Sequence, residues 1–260
     1  MSGSLHSYKV SWYLFIGKLK MRKFDDFLEK TGIERSNGFD FYFKNYIFNN
    51  IDLDYKKLLD LGGGNGMASF YALSSSASCS AWIVDPIAEG SNDLMWQQYN
   101  SMKERFDPER VNYHRDFIET LVFPETFDII LMHNTINHIG EDILKDVLIK
   151  ESAYVEYKNR IKTIVDRLKP GGFLIVADCG TKNFLGNLGL KNPLAPSIDW
   201  KLHCDPEVWQ KMIEEIGCSH IQTNWTARRE FGFFGKKILA NRLCAYFLNS
   251  HFVSKYQKKG

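Results

Sequence analysis

Leu58-Leu59-Asp60-Leu61-Gly62-Gly63-Gly64-Asn65-Gly66 passes from an apolar run into a glycine-rich turn, and Met67-Ala68-Ser69-Phe70-Tyr71-Ala72-Leu73 follows it as a helical stretch. A short apolar run bounded by turn residues reads as a buried strand. Glycines directly after it permit a tight turn and let a ligand approach the backbone. Two common phosphate-binding patterns fail here. A dinucleotide fingerprint needs G-x-G-x-x-G/A, but the last position is Met67 counted from Gly62 and Ser69 counted from Gly64. No Walker lysine follows the glycines. Asp60 stands at the C-terminal end of the strand, where a doubly wound sheet binds its ligands.

The rhythm around this stretch sets the fold class. AWIVDP reads as a second strand, DLMWQQYNSMKERF as a helix, VNYHRD as a short third strand and FDIILMHN as a fourth, covered on both faces. Ile161, Ile164, Val165 and Leu168 mark one face of a helix that is expected to end at Lys169-Pro170-Gly171-Gly172. FLIVADC is a fifth strand. A later helix has Asp205 as its expected N-cap, Pro206 at its first position and Gly217 as its stop. HIQTNWT and CAYFLNSHFV are expected to be two closing strands. Strands and helices alternating at this spacing imply a parallel sheet with helices on both sides. Upstream, MRKFDDFLEKTG is helical, with Phe24, Phe27 and Leu28 at helical spacing, and GFDFYFKNYIFNNI is a second candidate helix. The expected organisation is a helical, substrate-side lid over residues 1–52 and an α/β domain over 53–260, with inserts at about 140–160 and 181–204.

Asp60-Leu61-Gly62-Gly63-Gly64-Asn65-Gly66 fits D-x-G-x-G-x-G, and the fit extends in order across residues 56–180. In this the chain resembles the class I S-adenosylmethionine-dependent methyltransferases. The resemblance implies a doubly wound, seven-stranded, mostly parallel Rossmann-like sheet and S-adenosylmethionine as cofactor. It implies that Gly62, Gly63, Gly64 and Gly66 form the cofactor turn and that Asp60 helps hold the methionine amino group. Asp85, with Pro86 at the end of the second strand, would bind the ribose hydroxyls, as a carboxylate can. Asp116, after the third strand, would lie near the adenine amino group, with Phe117 flanking the ring. Backbone from Met132 to Asn134 would border the methionine half, and His133 is read as adjacent to the cofactor. Within the family, the strand-four sequence argues against two subclasses. It lacks the Pro-Pro motif of nucleic-acid amino-methyltransferases, and His133-Asn134 with Asp178-Cys179 match the metal-dependent catechol type poorly.

Two histidines are candidates for catalysis. A hydroxyl must lose a proton as it attacks a methyl group, and histidine has a suitable ordinary pKa. His138 follows strand four, where many relatives carry a histidine that is not a base, so a base and a structural role both stay open. His203 lies in a loop that passes over the acceptor side in this fold. The N-terminal aromatic helices, the insert around Tyr154 and Tyr157, and the loop from Thr181 to His203 are expected to build the acceptor pocket. A small-molecule or natural-product hydroxyl is the first choice of acceptor. The alternatives are an amine, an anionic lipid-linked or saccharide intermediate, and a noncatalytic cofactor-binding role.

Composition bounds the partners. The chain has 260 residues and a net charge of +2. Its five cysteines are scattered, with no CxxC pair, which argues against a structural metal and suits a reducing compartment. No apolar run approaches the roughly 20 residues of a membrane span, and MSGSLHSYKV lacks the apolar stretch of a signal peptide. A cytoplasmic location is expected. Charge is uneven: residues 1–24 carry five Lys or Arg and no acid, and residues 228–260 carry eight against Glu230 alone. Both ends are also aromatic. Such ends suit peripheral contact with an anionic membrane or amphiphile, and nucleic acid is disfavoured by the absent strand-four motif.

Overall fold

Alternation within the apolar runs sorts their side chains onto the two faces of a sheet. The computed structural model, which describes residues 23–33, 37–87, 92–118 and 126–260, shows that sheet. It has seven strands in the order β3-β2-β1-β4-β5-β7-β6. These are β1 (Lys57–Leu61), β2 (Ser80–Val84), β3 (Val111–His114), β4 (Phe127–His133), β5 (Leu168–Cys179), β6 (Cys218–Trp225) and β7 (His251–Lys258). β7 runs antiparallel to both of its neighbours, β5 and β6, and the other pairs are parallel. The reversal between β2-β1 and β4-β5 places the switch point beside the glycine turn.

Helices cover both faces. Leu58, Ile83, Ile129, Leu131, Ile175 and Ala177 face one layer. It contains α1 (Lys23–Lys30), α2 (Phe39–Tyr42) with the π-helical turn Phe43–Ile47, α3 (Met67–Ser75) and α4 (Asp93–Lys103). Leu59, Leu61, Ile130, Met132, Leu174 and Val176 face the other. That layer contains α5 (Glu141–Leu144), α6 (Glu151–Val165) and α8 (Pro206–Glu215). A one-residue slip in any central strand would exchange the two sets. The register Leu58↔Ile129, Leu59↔Ile130 and Met132↔Val176 keeps them in step.

Residues 23–33 and 37–50 are built into the first layer, where Phe24, Leu28, Phe43 and Ile47 are buried. Their attachment is also polar. The buried Lys255 of β7 donates to the Asn49 carbonyl, and Asp25 accepts from the Gly38 and Asp40 amides at 2.8 and 2.9 Å. The aromatic residues Trp12, Tyr13 and Phe15 of the basic N-terminal segment lie outside the described residues.

Three local expectations are corrected. CAYF is helical in α9 (Arg242–Phe247), and the closing strand begins only at His251. Asn241 decides this, because its side chain accepts from the Cys244 amide and caps the helix at 3.0 Å. Asp205 stands at the N-cap position of α8 but makes no capping bond; it accepts from the Lys182 amide and pairs with the Lys182 ammonium at 2.6 Å. α6 ends at Val165, so Lys169-Pro170-Gly171-Gly172 belongs to the start of β5. The loop after β5 contains a short α-helix, α7 (Phe184–Asn187), and a 3-10 turn at Trp200–Leu202.

Candidate functional site

The glycine turn leaves β1 at the switch point. Gly62 has φ 65°, and a Cβ there would come within 2.4 Å of Thr135 Oγ1. That hydroxyl donates to the Leu61 carbonyl at 2.8 Å, so the loop after β4 is fastened against the end of β1. A Cβ on Gly63 would lie 2.7 Å from Ile83 Cγ2 and 3.0 Å from the Asp60 carboxyl carbon. Neither position has room for a side chain. Tyr113 donates to the Gly64 carbonyl at 2.7 Å, and the Gly62 amide donates to Val84 at 2.8 Å.

Two carboxylates lie under this turn. Asp60 is 1% exposed. Its Oδ2 accepts from Ser69 Oγ at 2.8 Å, while its Oδ1 has no hydrogen-bond partner among the described residues. Burial pushes its pKa up to about 6, against the lowering effect of the Ser69 hydrogen bonds, and Asp85 adds to the rise. A buried carboxylate oxygen left without a donor is costly. It is suited to a cationic donor that arrives with a ligand. Asp85 is buried at the end of β2 and accepts from the Gly64 and Ile87 amides, each at 2.8 Å. It therefore holds the glycine turn. That role is compatible with binding a diol, since each carboxylate oxygen has two lone pairs. Pro86 is half-buried beside it. Asp116 and Phe117 are exposed just past β3, on the same end of the sheet.

Across β4 the site changes character. His133 Nε2 lies 3.0 Å from Tyr42 Oη, so α2 reaches over the end of β4. The His251 ring is 6.2 Å from that of His133 and bonds through Nδ1 to Thr226 Oγ1 at 2.9 Å. Burial pushes His133 down to about 4; burial first, and then the charge of His133, pushes His251 down to about 3. Burial also pushes the Tyr42 phenol well up. At neutral pH all three are uncharged, and they form a polar but neutral wall.

The ends of β4 and β5 carry a second arrangement. Asn137 is buried; it donates to the Cys179 carbonyl at 3.4 Å and accepts from the Cys204 amide at 3.1 Å. This joins the loop after β4, the end of β5 and the loop before α8. His203 Nδ1 lies 2.7 Å from the Asp199 carbonyl, which can only accept, so Nδ1 carries the proton. Its Nε2 then faces Asp178 Oδ1 at 3.8 Å, both residues being buried. Asp178 Oδ1 accepts from the Cys179 amide at 2.7 Å, and Oδ2 has no partner among the described residues. Burial raises the Asp178 pKa, opposed chiefly by the charge of His203. The His138 ring is 6.3 Å from that of His203, and its Nδ1 is 2.5 Å from Glu141 Oε1 in an exposed pair.

The structure therefore brings together Asp60, the glycines and Asp85 in one group, and His138 and His203 in a neighbouring one across β4. Sequence reasoning missed Asp178, although it closes the fifth apolar strand at the ligand-binding end. Tyr42, Tyr113 and Thr135 have no local pattern that marks them. Tyr157 is not a lining residue. It is buried, packs its ring 5.3 Å from Trp209 and donates to the Ile136 carbonyl. Tyr154 lies on the outer face of α6 beneath Lys158 and Lys211. A cleft of about 400 Å3 there, lined by residues 147–151, Tyr154, Val155, Lys158, Lys211 and Glu215, shares no residue with either group. Among the described residues there is no cluster of side chains able to hold a metal ion.

A scan against family models and a search of curated proteins by sequence find no match. Solved structures do match. A putative S-adenosylmethionine-dependent methyltransferase from Listeria monocytogenes superposes with a TM-score of 0.53 at 13% identity, covering 80% of this chain and 93% of that one. The StiE O-methyltransferase region, residues 961–1257 of its own chain, gives 0.51 at 14% identity, with 84% and 73% covered. The mitomycin 7-O-methyltransferase MmcR gives 0.50 at 14% identity, with 80% and 50% covered. The fold is the Rossmann-like fold of class I methyltransferases.

Proposed function

We propose that the chain transfers the methyl group of S-adenosylmethionine to a hydroxyl of a small-molecule acceptor. The observation that carries this reading is the buried Asp60, whose Oδ1 lacks a donor among the described residues, beside Gly62 and Gly63, which have no room for side chains. Those residues fit the cofactor: a cationic amino group matches Asp60, and a ribose diol matches Asp85. Gly62, Gly63, Gly64 and Gly66 would hold its backbone-facing edge, with Pro86, Asp116 and Phe117 toward the adenine. When bound, the cofactor supplies a methyl group already activated by its sulfonium.

What remains for the protein is to orient the acceptor, take its proton and exclude water. The His203–Asp178 pair supplies the proton acceptor. Its Nε2 and the unpartnered Asp178 Oδ2 are buried at the ends of the strands next to the glycine turn. A proton taken up at Nε2 would face the Asp178 carboxylate, 3.8 Å away. A positioned base of this kind contributes about 10²–10⁴ in rate. His138, held by Glu141 at the exposed rim, orients the acceptor or relays its proton outward. Tyr42 and His133 close the opposite wall without charge, and α1 and α2 act as the lid behind them. The hydroxyl preference is supported by this proton-accepting pair and by the two structural neighbours named as O-methyltransferases.

Incubation with methyl-labelled S-adenosylmethionine and a panel of phenols, alcohols and amines tests the reading. Label on hydroxyl acceptors is expected. Label confined to amines, or none across the panel from protein that binds the cofactor, overturns it.

A further inference from the structure

The chain between β6 and β7 is a helical insert rather than a tight turn, and it packs against the loop after β5. The Phe184 ring lies 5.1 Å from Phe247, and Asn192 donates to the Leu248 carbonyl. Asn183 donates to the Tyr246 and Leu248 carbonyls at 3.3 and 3.1 Å. Residues 183–192 thus pack against residues 246–248, at the same end of the sheet as His203, and residues 231–245 lead into that contact along the chain. Their surface departs from an ordinary protein exterior. Leu188, Leu190, Phe233, Phe234, Leu243 and Phe247 are each more than half exposed. Large apolar side chains gathered in this way mark an interaction site.

Charge selects the partner. The two segments contain Lys182, Lys191, Lys236, Lys237 and Arg242 and not one Asp or Glu. Lys182 and Arg242 are tied to acids outside the segments, Asp205 and Glu207. Lys191, Lys236 and Lys237 have no carboxylate partner among the described residues; Lys236 donates to Asn45 and Lys237 lies over the Phe233 ring. An apolar face with unpaired cations around it is the pattern of an interfacial anchor, with aromatic and aliphatic groups entering the headgroup boundary and lysines on anionic headgroups. A second copy of the same face would bring like charges together. The segment 1–22 of this chain is itself cationic, with Lys9, Lys18, Lys20 and Arg22 and no acid, so it does not complement the face either.

We propose that the surface formed by residues 182–194 and 231–250 docks the protein on an anionic lipid bilayer. This goes beyond the methyl-transfer reading and does not depend on it. No helix among the described residues is long and apolar enough to cross a membrane, so the attachment is peripheral. It also turns the loop carrying His203 toward the bilayer.

Co-sedimentation of the full chain with vesicles tests this. Binding is expected with phosphatidylcholine mixed with phosphatidylglycerol, weaker as salt rises, and absent with phosphatidylcholine alone. Lys236→Glu with Lys237→Glu is expected to weaken binding by on the order of 10²-fold. Phe233→Ser with Phe234→Ser, on exposed side chains, is expected to weaken it at least about tenfold with the circular dichroism spectrum unchanged. Leu188→Ser with Leu190→Ser reports on the second segment and is expected to act in the same direction. Lys162→Glu, on α6, is expected to leave binding unchanged. Absence of binding at low salt overturns the proposal. So does binding insensitive to the three surface variants, or as sensitive to Lys162→Glu as to the double lysine variant. A concentration-dependent dimer abolished by Phe233→Ser with Phe234→Ser would assign the face to self-association instead.

Discussion

Asp60→Asn separates the cost of the site from its use. The carboxyl is buried, and its pKa rises from the ordinary 3.8 to about 6. A carboxyl whose folded pKa is raised lowers stability when it must ionise. The penalty is absent below about pH 3.8, grows between there and pH 6, and is complete above that. Two pKa units correspond to about 3 kcal/mol at pH 7.5. At pH 4.5 the same linkage leaves about 1 kcal/mol. Asparagine removes the charge and keeps an acceptor for Ser69 Oγ, but its amide group must itself find a partner, at a cost of about 1–2 kcal/mol. The cofactor-free variant is therefore expected to gain about 1–2 kcal/mol at pH 7.5. For a chain of this size that is on the order of 2–8 °C in melting temperature. The gain disappears or reverses at pH 4.5. Cofactor affinity moves the other way, falling at least about tenfold as the cationic amino group loses its counter-ion. Thermal melts at both pH values and calorimetric titration check both halves. A variant less stable than the parent at pH 7.5, or one with the same change at both pH values, would refute the burial argument. Undiminished cofactor affinity would remove Asp60 from the site.

Asp85→Ala leaves the Gly64 and Ile87 amides without their acceptor, so both stability (by about 2–5 kcal/mol) and cofactor affinity (at least about tenfold) are expected to fall, measured by urea unfolding and calorimetry. Asp178→Asn removes the carboxylate that faces His203 Nε2; the rate is expected to drop at least about tenfold with cofactor affinity unchanged, measured by methyl-transfer kinetics and calorimetry. His138→Ala is expected to lower turnover by about 10²-fold with little effect on cofactor binding if it relays the proton, and turnover insensitive to the change removes it from the mechanism.

The grouping of Asp60, the glycines and Asp85 was legible because it is local in sequence. Asp60 and the glycines lie on one strand and its turn, and Asp85 closes the next strand, so apolar runs and their polar ends are enough to find them. Strand direction was equally plain, since β1, β4 and β5 read as continuous apolar runs buried on both faces. The neighbouring group at the ends of β4 and β5 was only half legible. His138 and His203 were found by residue type, but their partners lie far away in sequence: Asp178 is brought to His203 by the loop before α8, and Tyr42 to His133 by α2. Tyr157 was misplaced because an aromatic residue in an insert looks the same whether it faces a pocket or Trp209. The helix over Arg242–Phe247 was missed because CAYF has strand-forming residues, and the cap that overrides them, Asn241, precedes them. The basic and aromatic character of the C-terminal end was legible, but the part of Leu188 and Leu190 was not, because the loop after β5 meets that end only in space.

The central claim is that the glycine turn, Asp60 and Asp85 hold S-adenosylmethionine. Isothermal titration of the purified chain with S-adenosylhomocysteine, and separately with NAD, tests it most directly. The account predicts saturable one-to-one binding of S-adenosylhomocysteine, weakened by Asp85→Ala, and no binding of NAD. Binding of NAD with none of S-adenosylhomocysteine would contradict it.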